Sequence, residues 1–265
     1  MPRGDAGPTE MGPTEAGPAD ATRPPTTAAD VARELTDEVA DLPSGTRLPS
    51  EHALMRRYGV TRSVVRAAVD TLVARHQVRR VHGAGMFAHR RIDYVVSSRH
   101  PPSLHATVAA GGGTARTFLV DVDDVHPPPS VSARLARDPG ETATRLVRIA
   151  YVDGTIATCT EEWIAGGLLG HADLDVTAVE SLYEVLRMRG HTPVRARCRA
   201  ATELPPAEVA ERLDLDGVTA TWQIETLTTD ASTGLPLMFS RGWMRQDVIR
   251  VVFEFDGDHG NLSHQ

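Results

Sequence analysis

From Thr27 onward the apolar residues recur at helical spacing. Val31, Leu35 and Val39 stand four apart and form one stripe, which predicts a helix that ends before Pro43. Thr27 with Asp30 three residues on has the form of a capping box, with Asp in place of Glu. Ser44-Gly45 make a turn. A second helix is predicted to start at Ser50, a good N-cap following Pro49, with Ala53, Leu54 and Tyr58 facing inward. Gly59 stops it and Val60 plugs the turn. Thr61 is predicted to cap a third helix that runs to about Arg75. At about 100° per residue, Val65, Ala68, Val69 and Leu72 make its apolar face, while Ser63, Arg66, Ala67 and Asp70 point the other way. Arg62 flanks the seam in the first turn.

The period then changes. Val78-Arg79-Arg80-Val81 and Met86-Phe87-Ala88 flank His82-Gly83-Ala84-Gly85, which predicts two short strands around a glycine-containing turn. Helix, helix, turn, helix, hairpin is the order of a winged helix-turn-helix. The remainder alternates strands with helices and carries a weak internal repeat. Pro127-Pro128 followed by VSARL (131–135) recurs as Pro205-Pro206 followed by VAERL (209–213), and each copy leads through a turn into a strand. The offset, near 78 residues, is too long for a solenoid and predicts one domain of two similar halves around a shared sheet. Between the copies, Leu182, Val185 and Leu186 predict the inward face of a helix over roughly Val179–Arg189, ended by Gly190. Residues 1–27, with repeats of the type GPTE, lack apolar groups to offset ordering and read as a disordered tail. The expected organisation is that tail, a DNA-binding domain over 28–90, a second domain over 91–256 and a tail over 257–265. The fold class is α+β, the second domain being a sheet with helices.

Net charge, −7, argues by itself against nucleic acid. Its distribution argues the other way. Residues 42–91 hold 10 Arg against two acids, a balance of +8, whereas residues 92–265 hold 15 Arg against 24 acids, a balance of −9. A basic block beside an acidic remainder is what a phosphate-binding domain joined to a domain with another task looks like. No apolar run is long enough for a membrane helix and no secretory signal opens the chain, so a cytoplasmic protein without a membrane partner is expected. Cys159 and Cys198 lack metal-ligand spacing, and neither a metal nor a cofactor is expected. No Ser-His-Asp pattern, HExxH or glycine-rich phosphate loop supports an enzyme.

A DNA reader needs a helix that fits the major groove, side chains on its first turns that reach base edges, and donors that clamp the backbone. Thr61, Arg62, Ser63, Val64 and Arg66 supply the first two. Arg62 or Arg66 can meet guanine N7 and O6 together, and Thr61 and Ser63 can donate to phosphate. Arg79, Arg80 and His82 sit on the hairpin, where Gly83 and Gly85 let its backbone come close. Residues 44–89 closely resemble the DNA-binding domain of the GntR family. The resemblance rests on Leu48-Pro49-Ser50-Glu51, Gly59-Val60-Thr61-Arg62, Arg66 and Gly83-Ala84-Gly85-Met86-Phe87. It implies DNA contact by Thr61, Arg62, Ser63, Val64 and Arg66, with His82-Gly83 entering the minor groove. Glu51 belongs to the same pattern, and His52 stands where a relative carries a DNA-contacting Arg. Ser44 replaces the usual turn proline, and Gln77 a glycine before the wing.

Residues from about Arg91 to Asp256 resemble the UTRA ligand-binding domain of the HutC branch of that family. The matching segments are RLVRIAYVDG (145–154), SLYEVLRMRG (181–190), AERLDL (210–215) and STGLPLMFSRGWMRQD (232–247). The resemblance implies an antiparallel sheet with helices, like chorismate lyase but without that enzyme's chemistry, in which strand arginines hold an anionic effector. The candidates are Arg99, Arg145, Arg148, Glu161 and Arg241. Arg148 falls on the first Arg of the family's Arg-x-Arg pattern, whose second is here Ala150. Met238 stands where a Glu often follows Gly-x-Pro. Arg91-Ile92-Asp93-Tyr94 is similar to the phosphonate-operon regulators of the branch. The expected protein is a ligand-responsive repressor, a homodimer on an inverted-repeat double-stranded operator, released by a small anionic effector. The alternatives are a constitutive dimeric DNA clamp or an enzyme using the second domain.

Overall fold

The structure is a computed structural model that describes residues 27–97, 103–138, 140–169 and 181–255. The chain divides after His89 into two compact units.

The first unit contains α1 (Ala28–Ala40), α2 (Glu51–Tyr58), α3 (Arg62–Ala74), β1 (Val78–Val81) and β2 (Gly85–Ala88). Its order is that of a winged helix-turn-helix. The predicted stripes meet in one core: Val31, Leu35 and Val39 of α1, Leu54 and Tyr58 of α2, and Val65, Ala68, Val69 and Leu72 of α3 are all buried together. Burying one such aliphatic side chain stabilises by about 1.5–3 kcal/mol, and that gain holds helices too short to persist alone. Gly59 ends α2 in the left-handed region, at φ +63°. A side chain there would be strained, so glycine makes the sharp turn into α3. At the end of α3 the left-handed residue is His76, φ +55°, not Gln77. Gln77 instead accepts a hydrogen bond from Thr36 of α1, 3.2 Å, and its carbonyl accepts from His89.

The second unit runs β3 (Ile92–Ser97), α4 (Leu104–Ala110), β4 (Ala115–Val125), α5 (Pro129–Arg134), β5 (Ala143–Val152), β6 (Thr155–Ala165), α6 (Leu182–Met188), β7 (Pro193–Glu203), α7 (Ala207–Arg212), β8 (Thr221–Asp230), β9 (Pro236–Arg245) and β10 (Ile249–Glu254). The repeat is real in space. The starts of α4 and α6, β4 and β7, α5 and α7, and β5 and β8 (104 and 182, 115 and 193, 129 and 207, 143 and 221) are each 78 residues apart. The six-stranded sheet has the order β4-β5-β6-β9-β8-β7, so each half supplies three neighbouring strands, and β6 meets β9 at the centre. Every pairing in this sheet is antiparallel. β3 and β10 form a separate parallel pair.

Alternation along the strands gives the sheet two different faces. Leu146, Ile164 and Met238 pack against Leu182, Val185 and Leu186 of α6 on one face. On the other, Ala143, Trp163 and Phe239 pack under Val131 and Leu135, and Val147, Cys159 and Trp243 under Val209 and Leu213. The helix predicted over 179–189 begins at Leu182; residues 179 and 180, like the proposed tails apart from Thr27, lie outside the described residues.

Candidate DNA-reading surface and effector cavity

Among the described helices whose N-cap is Ser or Thr, α3 differs from the rest. Thr27, Ser50, Ser103 and Ser181 each accept a hydrogen bond from a first-turn amide of the helix they cap. Thr61 does not; its hydroxyl lies 2.9 Å from that of Ser63 instead. The first-turn N–H groups of α3 therefore keep no side-chain cap, and the positive end of the helix dipole faces outward.

Arg62 and Arg66 project from this end, with side chains 71% and 62% exposed. Glu51, from the first turn of α2, lies between them. Arg62 Nε donates to Glu51 Oε2 at 3.2 Å, and Arg66 Nε stands 4.0 Å from Oε1. One carboxylate thus aligns both arginines. His52, Thr61 and Ser63 are exposed; Val64 is half-buried and packs on the core. On the hairpin, Arg79, Arg80, His82 and Gly83 are exposed, and Arg80 pairs with Asp70 of α3, which ties wing to helix. A groove between helix and wing is lined by Arg62, Arg80, His82, Gly83 and also Arg47. Arg47 was not picked out from the sequence. It bridges to Phe87 of the wing, and its guanidinium reaches the face of Gly85, where a Cβ would stand 3.5 Å from Nε. Only the folded hairpin reveals this arginine as part of the surface.

In the second unit a cavity of about 110 Å³ opens on the α6 face of the sheet. Its floor carries Thr117, Thr158, Thr160, Thr226, Thr228 and Ser240, and the starts of α4 and α6 contribute Ser103 and Ser181. Tyr94 and Tyr183 close it. Burial pushes the Tyr94 phenol up to about 12. Burial also raises Tyr183, against the hydrogen bond it shares with Thr228 at 2.8 Å. Both phenols stay protonated at neutral pH and serve as neutral partners.

The candidate effector residues separate here. Arg148 lines the cavity, as do Ala150 and Met238. Arg145, Glu161 and Arg241 lie on the opposite face of the sheet. There Arg145 pairs with Asp121 at 3.1 Å and Glu161 at 2.5 Å, and Arg241 with Glu225 at 2.9 Å. Arg134 of α5 joins that Glu225 at 2.9 Å and lies over the Phe239 ring, 4.7 Å from its centroid. Arg99 lies outside the described residues. The residue missed by the sequence reading is Glu162. It lines the cavity beside Arg148, whose Nε donates to its Oε2 at 2.6 Å and whose Nη2 donates to Oε1. Among the described residues no cluster of His, Cys, Asp and Glu is set to hold a metal, and no helix is long and apolar enough to cross a membrane.

Comparison with known proteins decides the family. Residues 27–88 match the bacterial regulatory proteins of the gntR family, and residues 110–250, more than half of the chain, match the UTRA domain. The chain belongs to the GntR-family regulators that carry a UTRA domain. It is thus a transcriptional regulator with a DNA-binding GntR domain and a UTRA effector-binding domain, and not an enzyme. The HTH-type transcriptional regulator GgaR of Escherichia coli K12 is 29% identical over 213 residues, 80% of this chain and 84% of that protein. The probable transcriptional regulator PhnF of the same organism is 26% identical over 235 residues, 87% of this chain and 95% of that protein. The crystal structure of PhnF from Mycobacterium smegmatis shares the fold, with a TM-score of 0.62 and 22% identity over 86% of this chain and 99% of that one.

Proposed function

We propose that this GntR-family regulator is a cytoplasmic repressor that holds an inverted-repeat operator as a homodimer and lets go when a small effector fills the UTRA cavity. The observation that carries the reading is the pairing of two sites on one chain. One is an uncapped, arginine-bearing α3 beside a glycine-tipped wing; the other is a polar cavity with a half-buried arginine held by a buried carboxylate. In this reading α3 enters the major groove, with Arg62 and Arg66 on base edges and Thr61, Ser63 and the free amides of the first turn on phosphate. Arg79, Arg80, His82 and Arg47 hold the neighbouring backbone and minor groove. One short recognition helix reads few base pairs, and two-fold pairing doubles the contacts.

The effector carries an anionic group, which Arg148 receives. An effector that weakens operator binding tenfold must bind the DNA-free form more tightly by about 1.4 kcal/mol. The test is fluorescence anisotropy of labelled operator, chosen by selection from random DNA, with the full chain and small molecules added. The expected result is release by a subset of compounds that bear an anionic group and loss of that response in Arg148→Ala. A chain that holds its operator unchanged against every compound would favour the constitutive clamp.

A further inference from the structure

The only ionisable side chains on the described cavity wall besides His105 and the two tyrosines are Arg148 and Glu162. Glu162 is buried and Arg148 half-buried, with side chains 5% and 14% exposed, and they face each other in a two-point ion pair. We infer that the cavity selects a small zwitterion, a molecule bearing one anionic and one cationic group. This rests on the reading of the cavity as the effector site and narrows the class of its ligand.

A buried charge is tolerated only while an opposite charge and hydrogen bonds satisfy it, and Arg148 and Glu162 contribute this to one another. A bare anion that approaches Arg148 also approaches Glu162, because their charged atoms lie 2.6 Å apart. Attraction and repulsion then largely cancel, and a second negative charge on the ligand gains nothing. A neutral ligand leaves the pair intact and gains only hydroxyl contacts. A zwitterion offers each buried charge a new partner: its acidic group for the guanidinium and its ammonium for the carboxylate. Partners are exchanged and no charge is stranded. The surrounding Thr, Ser and Tyr hydroxyls both donate and accept, so they serve either end of such a ligand. Ala150 and Met238 add no further charge that would tip the balance toward an anion. A volume of about 110 Å³ restricts the ligand to a small molecule.

The experiment is calorimetry on the full chain with matched probes: a series of short ω-amino acids, the corresponding acids that lack the amine, and inorganic phosphate. The expected result is that the best amino acid binds at least about tenfold more tightly than its matched acid and than phosphate. Glu162→Gln should cut amino-acid binding by a similar factor and raise phosphate binding. Loss of the carboxylate beside Arg148 can unsettle the fold, so the double variant Arg148→Met with Glu162→Met serves as a second arm. It retains bulk without stranding a charge, should melt near wild type, and should bind the amino acids no better than the acids. The inference fails if an acid or phosphate binds wild type as tightly as the matched amino acid, or if Glu162→Gln leaves the discrimination unchanged. In that event binding itself still upholds the effector-site reading. Absence of heat from every probe on both wild type and Glu162→Gln overturns the effector-site reading and this inference with it.

Discussion

The two units use arginine in opposite ways. On the DNA-binding unit Arg62 and Arg66 stand in water, 71% and 62% exposed, with Glu51 as a loose tether. In the UTRA unit Arg148 is 14% exposed and locked to a carboxylate that is 5% exposed. An exposed ion pair gains little because solvent screens it, so parting Arg62 and Arg66 from Glu51 costs little. A buried pair is costly to open, and whatever opens it must match both charges. Exposed arginines thus suit a highly charged polymer, and a buried pair suits discrimination among small molecules.

The contrast is sharpest when one partner is removed. Glu162→Ala leaves the Arg148 charge without its buried carboxylate and should destabilise the UTRA unit by about 3–5 kcal/mol, whereas replacing both residues by Met should cost little. Denaturant melts of the two variants check this, and equal losses in both would remove the buried half of the comparison. On the exposed side, Arg62→Ala and Arg66→Ala should each cost about 1–3 kcal/mol of operator affinity while shifting folding stability by less than about 0.5 kcal/mol. Binding curves on operator and random DNA, beside thermal melts, read both quantities. Arg79→Ala should weaken operator and random DNA alike and reduce the slope of log affinity against log salt by about one. The smallest effects concern the caps. Ser50→Ala should cost about 1 kcal/mol of stability because a cap bond is lost, whereas Thr61→Ala, which loses no cap bond, should cost under about 0.5 kcal/mol and yet weaken DNA binding. Equal stability losses at the two positions would mean that the α3 end is capped like the others.

The DNA-binding unit was legible almost residue by residue because its signals are local. The cap Ser50, the stop Gly59 and the face Val65, Ala68, Val69 and Leu72 all lie within a few residues of what they specify. The 78-residue repeat likewise announced the two-part sheet. The cavity was not legible, because a strand's two faces differ by one residue and pairing register is set by distant chain. Arg145 and Arg148 are three apart, hence on opposite faces, which period-two counting alone reveals. Whether Glu161 or Glu162 joins Arg148 depends on the pairing of β5 with β6, where Arg148 stands opposite Thr160. The parallel pairing of β3 with β10, from Ile92 with Ile249 onward, joins segments that share no local signal.

The most direct test of the account is selection of bound sequences from random double-stranded DNA by the full chain, run beside a variant with both Arg62→Ala and Arg66→Ala. Wild type is expected to enrich one inverted repeat, and the double variant to lose this enrichment while keeping weak, salt-sensitive binding. Enrichment of the same sequence by both proteins, or of none by wild type, would contradict the assignment of α3 as the helix that reads DNA.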